Sequence, residues 1–103
     1  MEKKNQPLTE AVYYILLSVQ SPLHGYGIMQ NIKFLTGGRV NIGAGTLYGA
    51  INTLLKKNLI AEYKLDPYKK DYIITEQGKE VLRQELNRLR ELVFNGEKIL
   101  EGK

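Results

Sequence analysis

Cysteine is missing from the 103 residues altogether, and with it go disulfides, thiolate metal sites and a cysteine nucleophile. A reducing compartment suits such a chain, so a cytoplasmic protein is expected. Histidine occurs once, at His24. Imidazole is the side chain whose charge changes near neutrality and the commonest metal ligand, so triads, histidine acid–base pairs and zinc sites lack their material. Neither an enzyme nor a cofactor is expected. Tryptophan is absent as well, and long apolar runs are scarce. The best run, Ala11 to Val19, has nine residues where a membrane-spanning helix needs about 20. Glu10 beside it, the polar Ser18 and Gln20, and the lack of a small-x-small cleavage site argue equally against a signal peptide. No membrane partner is expected, and the first six or so residues read as a loose polar arm.

What remains describes one ordinary globule. At 43% hydrophobic and 25% charged the chain can bury a core, and its length suits a single domain. Fifteen Lys and Arg outnumber eleven Asp and Glu, a formal +4 that favours an anionic partner.

Apolar residues recur at Leu8, Val12, Ile15, Leu16 and Val19, the spacing of one helix face, which predicts a first helix from Leu8 to about Gln20. After Pro22 a second helix is expected from about Tyr26 to Leu35, with Ile28, Met29, Ile32 and Leu35 inward and Gly37-Gly38 as its terminator. A short connector, Asn41 to Gly45, leads into a third helix from about Ala44 to Lys57. There Leu47, Ile51, Leu54 and Leu55 point inward, and Asn58 takes the glycine-like position at the end. The period then changes. Residues 60–65 and 71–74 read as two short strands around the turn Asp66-Pro67-Tyr68-Lys69-Lys70, with proline where the second turn position favours it. Thr75 is placed to cap a last helix running from about Glu76 to Leu100.

In that last helix Leu82, Leu86, Leu89 and Val93 alternate steps of four and three residues, while Glu80/Arg83, Glu85/Arg88 and Glu76/Lys79 stand three apart on its other faces. A helix of about 25 residues is about 37 Å long, more than so small a domain can cover. A second copy satisfies the narrow leucine seam more simply than folding back does, and a two-fold homodimer is expected.

The fold class is therefore mainly α with a small β-hairpin. Helices one to three, the hairpin and the long last helix follow the order of a winged helix-turn-helix domain with a C-terminal helix. Charge sharpens the reading. Between Lys56 and Lys70 five lysines face only Glu62 and Asp66, whereas from Glu76 to Glu101 five basic residues face six acidic ones. The positive excess sits where a wing would meet phosphates.

Three segments carry a family resemblance: His24-Gly25-Tyr26-Gly27-Ile28; Gly45-Thr46-Leu47-Tyr48 followed by Ile51, Leu54 and Leu59-Ile60; and Lys70-Asp71-Tyr72-Ile73-Ile74-Thr75-Glu76-Gln77-Gly78. In this order and spacing the chain resembles the PadR family of bacterial transcriptional regulators, from Leu8 to the last helix. The resemblance implies a winged-helix repressor that dimerises through its N-terminal and C-terminal helices and binds double-stranded DNA at an inverted-repeat operator. In some members a small molecule releases the DNA. On this pattern residues 1–75 form the DNA-binding part and residues 76–103 the dimerisation helix. Two positions depart from it: Asn58 stands where glycine is common, and Lys69-Lys70 where arginines often sit at the wing.

Thr46, Tyr48 and Asn52 lie on the side of helix three away from Leu47, Ile51 and Leu54. Together with Asn41, Ala44, Lys64, Lys69 and Lys70 they are the candidate DNA contacts. Leu8, Val12, Leu82, Leu86, Leu89 and Val93 are the candidate dimer contacts. Gly49 inside a helix costs about 1 kcal/mol relative to alanine, which suggests a close approach to DNA or to helix two. His24 reads more readily as a cap or packing group than as a phosphate contact or pH sensor. Tyr13, Tyr14 and Tyr26 read as core or interface aromatics that border any effector site. A protein-interaction module built on the same scaffold is the alternative function.

Overall fold

The computed structural model describes residues 6–64 and 66–102. The expected polar arm over the first residues therefore falls largely outside the described residues, as does Leu65, the last residue of the expected first hairpin strand. The elements are α1 (Glu10–Ser18), β1 (Leu23–His24), α2 (Gly25–Leu35), α3 (Ala44–Lys56), β2 (Ile60–Tyr63), β3 (Asp71–Ile74) and α4 (Glu76–Glu101).

α1 starts two residues later than its apolar stripe suggests, because the Thr9 hydroxyl accepts from Val12 N (3.2 Å) and fixes the first turn there. It ends once the Val19 carbonyl is claimed by Ile74 N (2.8 Å), which draws the chain onto the sheet. The sheet itself has three strands, not two. β1 pairs antiparallel with β3, Leu23 opposite Tyr72 and His24 opposite Asp71, and β3 pairs with β2 on its other side. Two residues between Pro22 and Gly25 are too few to display an alternating pattern, so β1 left no trace in the periodicity.

The core joins Ile15, Leu16 and Val19 of α1, Ile28 and Ile32 of α2, Leu47, Ile51 and Leu54 of α3, and Leu59, Ile60, Tyr72 and Ile74 around the sheet. Leu35 does not belong to it. At the last residue of α2 it is 50% exposed, since Gly37 (φ +60°) and Gly38 (φ +86°) turn the chain away before anything packs over it. The expected left-handed residue after α3 is confirmed at Asn58 (φ +62°), a conformation asparagine tolerates better than most residues. A buried polar link sits beside the core: Asn31 Nδ2 donates to Ser18 Oγ (2.9 Å), which donates to the Tyr14 carbonyl (2.8 Å), tying α2 to α1.

α4 is rooted at the junction with β3. Thr75 Oγ1 accepts from Gly78 N (2.9 Å) and donates to the Asn58 carbonyl (2.8 Å), while Thr75 N donates to the Leu59 carbonyl (3.0 Å). Gly78 passes so close to that carbonyl that a Cβ there would lie inside contact distance of it and 2.8 Å from Ile74 Cγ1. Val81 and Leu82 pack on the core, and the helix then runs outward, giving a molecule of 55 × 39 × 21 Å. Among the described residues no helix is long and apolar enough to cross a membrane.

Candidate nucleic-acid interface

α3 buries Leu47, Ile51 and Leu54, and at about 100° per residue the direction opposite them belongs to Gly45, Gly49, Asn52 and Lys56. Thr46 and Tyr48, expected at the centre of the outward face, stand on its two flanks. Tyr48 leans towards α2: a Cβ on Gly25 would lie 2.6 Å from its Cζ, so the missing side chain of Gly25 is what seats the ring, which stays 43% exposed. Thr46, Asn52, Ala44 and Asn41 are exposed. The question posed by Gly49 has an answer within the chain: a Cβ there meets open space, as at Gly43 and Gly45, so no approach to α2 requires this glycine. The outward face of α3 is bare backbone over its first two turns. Gly43 at the N-cap brings no side chain to the free N–H groups of that end.

β2, β3 and their connection form the wing. Its tip is a tight turn in which Lys69 N donates to the Asp66 carbonyl (3.1 Å) and Tyr68 N donates to Asp66 Oδ1 (2.9 Å), with Pro67 in the expected position. Tyr68 projects almost fully into solvent, 94% exposed. Lys64 and Lys70 both lie near Glu62, whose two carboxylate oxygens stand 3.8 and 4.0 Å from their ammonium groups. Such exposed pairs are weak and leave both lysines able to reach an anion. Lys69 has no carboxylate partner among the described residues.

Between wing and helices lies a hollow of about 570 Å³ lined by His24, Tyr48, Tyr68, Lys69, Lys70 and Asp71. His24 holds the N-cap position of α2 but makes no capping bond with its side chain, so of the two roles expected for it, cap or packing group, the side chain does not fill the first. Its exposed ring stacks on Tyr26, centroids 6.5 Å apart and planes 24° from parallel. Three candidate contacts, Tyr48, Lys69 and Lys70, thus meet in one place with two residues that sequence reasoning left out, Tyr68 and Asp71. Lys64 and the outward face of α3 lie outside this hollow. The register of β1 against β3 would have placed His24 there, but only with β1 known.

On the far side of the molecule α1 and α4 lie against each other. Leu8, Val12 and Leu82 are half-buried against this chain's own core, whereas Leu86 (37%), Val93 (58%) and Phe94 (60%) are exposed and Leu89 is half-buried. The seam therefore divides: its first residues root α4 and its later ones are left uncovered. Glu85, read only as lying off the leucine seam, is 5% exposed. Arg88 grips it through two bonds (2.8 and 2.7 Å) and Leu8 N donates to it (3.2 Å). The Arg88 guanidinium holds the Glu85 carboxyl below its usual range against the opposing effect of burial, with help from the Leu8 N–H. Leu8, Glu10, Tyr13, Tyr14, Glu85, Arg88 and Leu89 line a second hollow of about 330 Å³ here. Arg39, in the link before α3, pairs with Glu10 at its edge and lowers that carboxyl in the same way.

Comparison with known proteins agrees with this architecture. A family model described as the transcriptional regulator PadR-like family matches residues 14–84. A Streptomyces fradiae protein, described as an uncharacterized 37.1 kDa protein in a transposon, is 34% identical over 71 residues, which are 69% of this chain; the chain spans 20% of that protein's length. The crystal structure of a PadR family transcriptional regulator from Eggerthella lenta superposes with a TM-score of 0.73 at 26% identity, covering 89% of this chain and 82% of that one. Bacillus subtilis PadR in complex with operator DNA superposes with a TM-score of 0.66 at 25% identity, covering 80% of this chain and 49% of that one.

Proposed function

Because the chain belongs to the PadR-like family of transcriptional regulators, we propose that it is a cytoplasmic, homodimeric repressor that grips an inverted-repeat DNA operator. The observation that carries this reading is the pairing of a bare outward α3 face with a lysine-bearing wing, on a scaffold shared with a PadR that was solved on its operator. In this reading α3 lies in the major groove. The absence of side chains at Gly45 and Gly49 lets its backbone come close, while Thr46, Tyr48 and Asn52 reach base edges or the backbone from flanks and centre, and Asn41 and Ala44 flank the helix start. Lys64, Lys69 and Lys70 neutralise phosphates and set register without reading sequence. The DNA-binding part is residues 1–75, and residues 76–103 supply the dimer helix.

Leu86 and Val93 extend past the core exposed, Leu89 between them is covered only in part, and an antiparallel or crossed second copy of α4 buries all three. Leu8 and Val12 then support the seam from below, through α1. Two DNA-reading helices related by the two-fold would stand about 34 Å apart, one duplex turn. The hollow between α1 and α4, with Tyr13 and Tyr14 in its wall, is where a small-molecule effector would act in this reading.

A gel shift on the DNA upstream of the protein's own gene, repeated over a salt series, tests the proposal. Binding is expected, and Lys69→Ala combined with Lys70→Ala should weaken it on every sequence and flatten the slope of log K against log salt by about 0.9 per lost phosphate contact. No shift at low salt would favour a protein-interaction module. An unchanged slope in the double variant would remove the wing from the interface.

A further inference from the structure

We propose that the hollow between the wing tip and α3 seats the DNA backbone strand running between the two grooves, and that His24 in its wall makes the grip pH dependent. This deepens the DNA-binding reading and rests on it. A duplex that takes α3 in its major groove and the wing in the neighbouring minor groove must pass one phosphodiester strand between the two elements. The space it would occupy is the one bounded by Tyr48 from α3 and by Tyr68, Lys69 and Lys70 from the wing.

The chemistry of the lining suits a phosphodiester. Two lysines and two tyrosines line the hollow, and Asp71 is the one acidic residue on its wall. Lys70 shares its charge with Glu62 at 4.0 Å, and Lys69 is committed to no carboxylate among the described residues. His24 is placed by backbone pairing. It stands directly opposite Asp71 in the β1–β3 ladder, and directly opposed residues project to the same face. Its ring stacks on Tyr26, and among the described residues its nitrogens donate to and accept from nothing, so one N–H of the neutral ring, and both of the protonated ring, are free to donate to phosphate oxygens.

The charged and titratable residues that share the hollow with His24 or touch it are therefore Asp71 from β3, Lys69 and Lys70 from the wing, Tyr48 from α3, Tyr68 from the turn and Tyr26 from α2. Among these side-chain types imidazole is the one whose charge ordinarily changes near neutrality. Protonation adds one positive charge facing the strand. DNA affinity then rises as pH falls.

Fluorescence anisotropy with a mixed-sequence duplex at low salt tests this, since phosphate contacts carry no sequence information. The wild type is expected to bind several-fold and up to about tenfold more tightly at pH 5.5 than at pH 8, the limit for one linked proton being tenfold per pH unit. Its salt slope should steepen by about 0.9 over the same range. His24→Gln should bind with the weak high-pH affinity throughout, and His24→Lys with high affinity throughout. Wild-type binding whose pH dependence persists in His24→Gln would overturn the role of His24 and leave the DNA-binding reading standing. His24→Lys binding no better than His24→Gln at pH 8 would overturn the seat. A wild type that binds no duplex at any pH would overturn both this inference and the proposed function.

Discussion

Replacing Gly78 with alanine sets two known effects against each other. Alanine is favoured over glycine inside a helix by about 1 kcal/mol, so on an open helix face the change stabilises. At position 78 the added methyl meets the Leu59 backbone: it would overlap the carbonyl oxygen, stand 3.0 Å from the carbonyl carbon and 2.8 Å from Ile74 Cγ1. Neither neighbour is the free end of a flexible side chain. The Leu59 carbonyl is fixed by Thr75 N at 3.0 Å, and the same threonine caps α4 through Gly78 N at 2.9 Å. Relief of the overlap must open this junction, and inserting a methyl into a packed site costs roughly 1–3 kcal/mol, with about 1 kcal/mol more for a lost backbone bond. Net destabilisation of about 2 kcal/mol is expected. Urea unfolding at one fixed protein concentration should show a lower midpoint for Gly78→Ala and, at the same concentration, a higher one for Gly49→Ala, whose methyl meets open space. If Gly78→Ala matches or exceeds the wild type, the close passage of α4 over Leu59 is wrong.

Three further outcomes follow from the same geometry. Leu89→Lys places a charge in the seam and should turn the proposed dimer into a monomer at micromolar concentration in sedimentation velocity, while a wild-type monomer would sink the dimer proposal itself. Glu85→Gln should lower the urea midpoint at neutral pH by weakening the bonds from Arg88 and Leu8 N. Since the folded carboxyl titrates below its ordinary range of about 4, its contribution is complete above that range and fades as pH falls through the lowered value, so wild type and variant should converge in acid. Thr75→Ala removes the α4 cap and should cost about 1 kcal/mol in the same assay.

Helix faces were legible because two or three apolar residues per helix repeat the same angular signal: Ile15, Leu16 and Val19, then Ile28 and Ile32, then Leu47, Ile51 and Leu54 are all in the core. Caps were legible at Thr75 and Asn58, where a single residue type meets a single backbone demand. Leu35 misled because periodicity carries no information on where the neighbouring chain stops covering a helix. β1 was too short for any period. Glu85 escaped for a different reason: a glutamate three residues before an arginine looks the same on a solvated face as in a buried clasp, and the partner that distinguishes them, Leu8 N, is 77 positions away. At the nucleic-acid face the lysines were visible as charge, whereas the meeting of His24 with Asp71 depended on strand register, which no local pattern encodes.

Hydrogen bonds attach α4 to the rest of the chain at two points of different character. At its base the Thr75 and Gly78 contacts lock it to the loop between α3 and β2, whose far end is the wing. Two turns further on, Glu85 binds the backbone just ahead of α1, and Glu10 of α1 reaches Arg39 in the link that enters α3. α4 is therefore held to the segment before α1 by one buried carboxylate, beside the apolar packing of Val81 and Leu82, and α1 is joined to the link before α3 by an exposed ion pair. The Glu85→Gln variant separates the two: it should loosen the α1–α4 contact while leaving the α4 cap intact, so a change in DNA affinity without loss of the cap would trace coupling to the carboxylate.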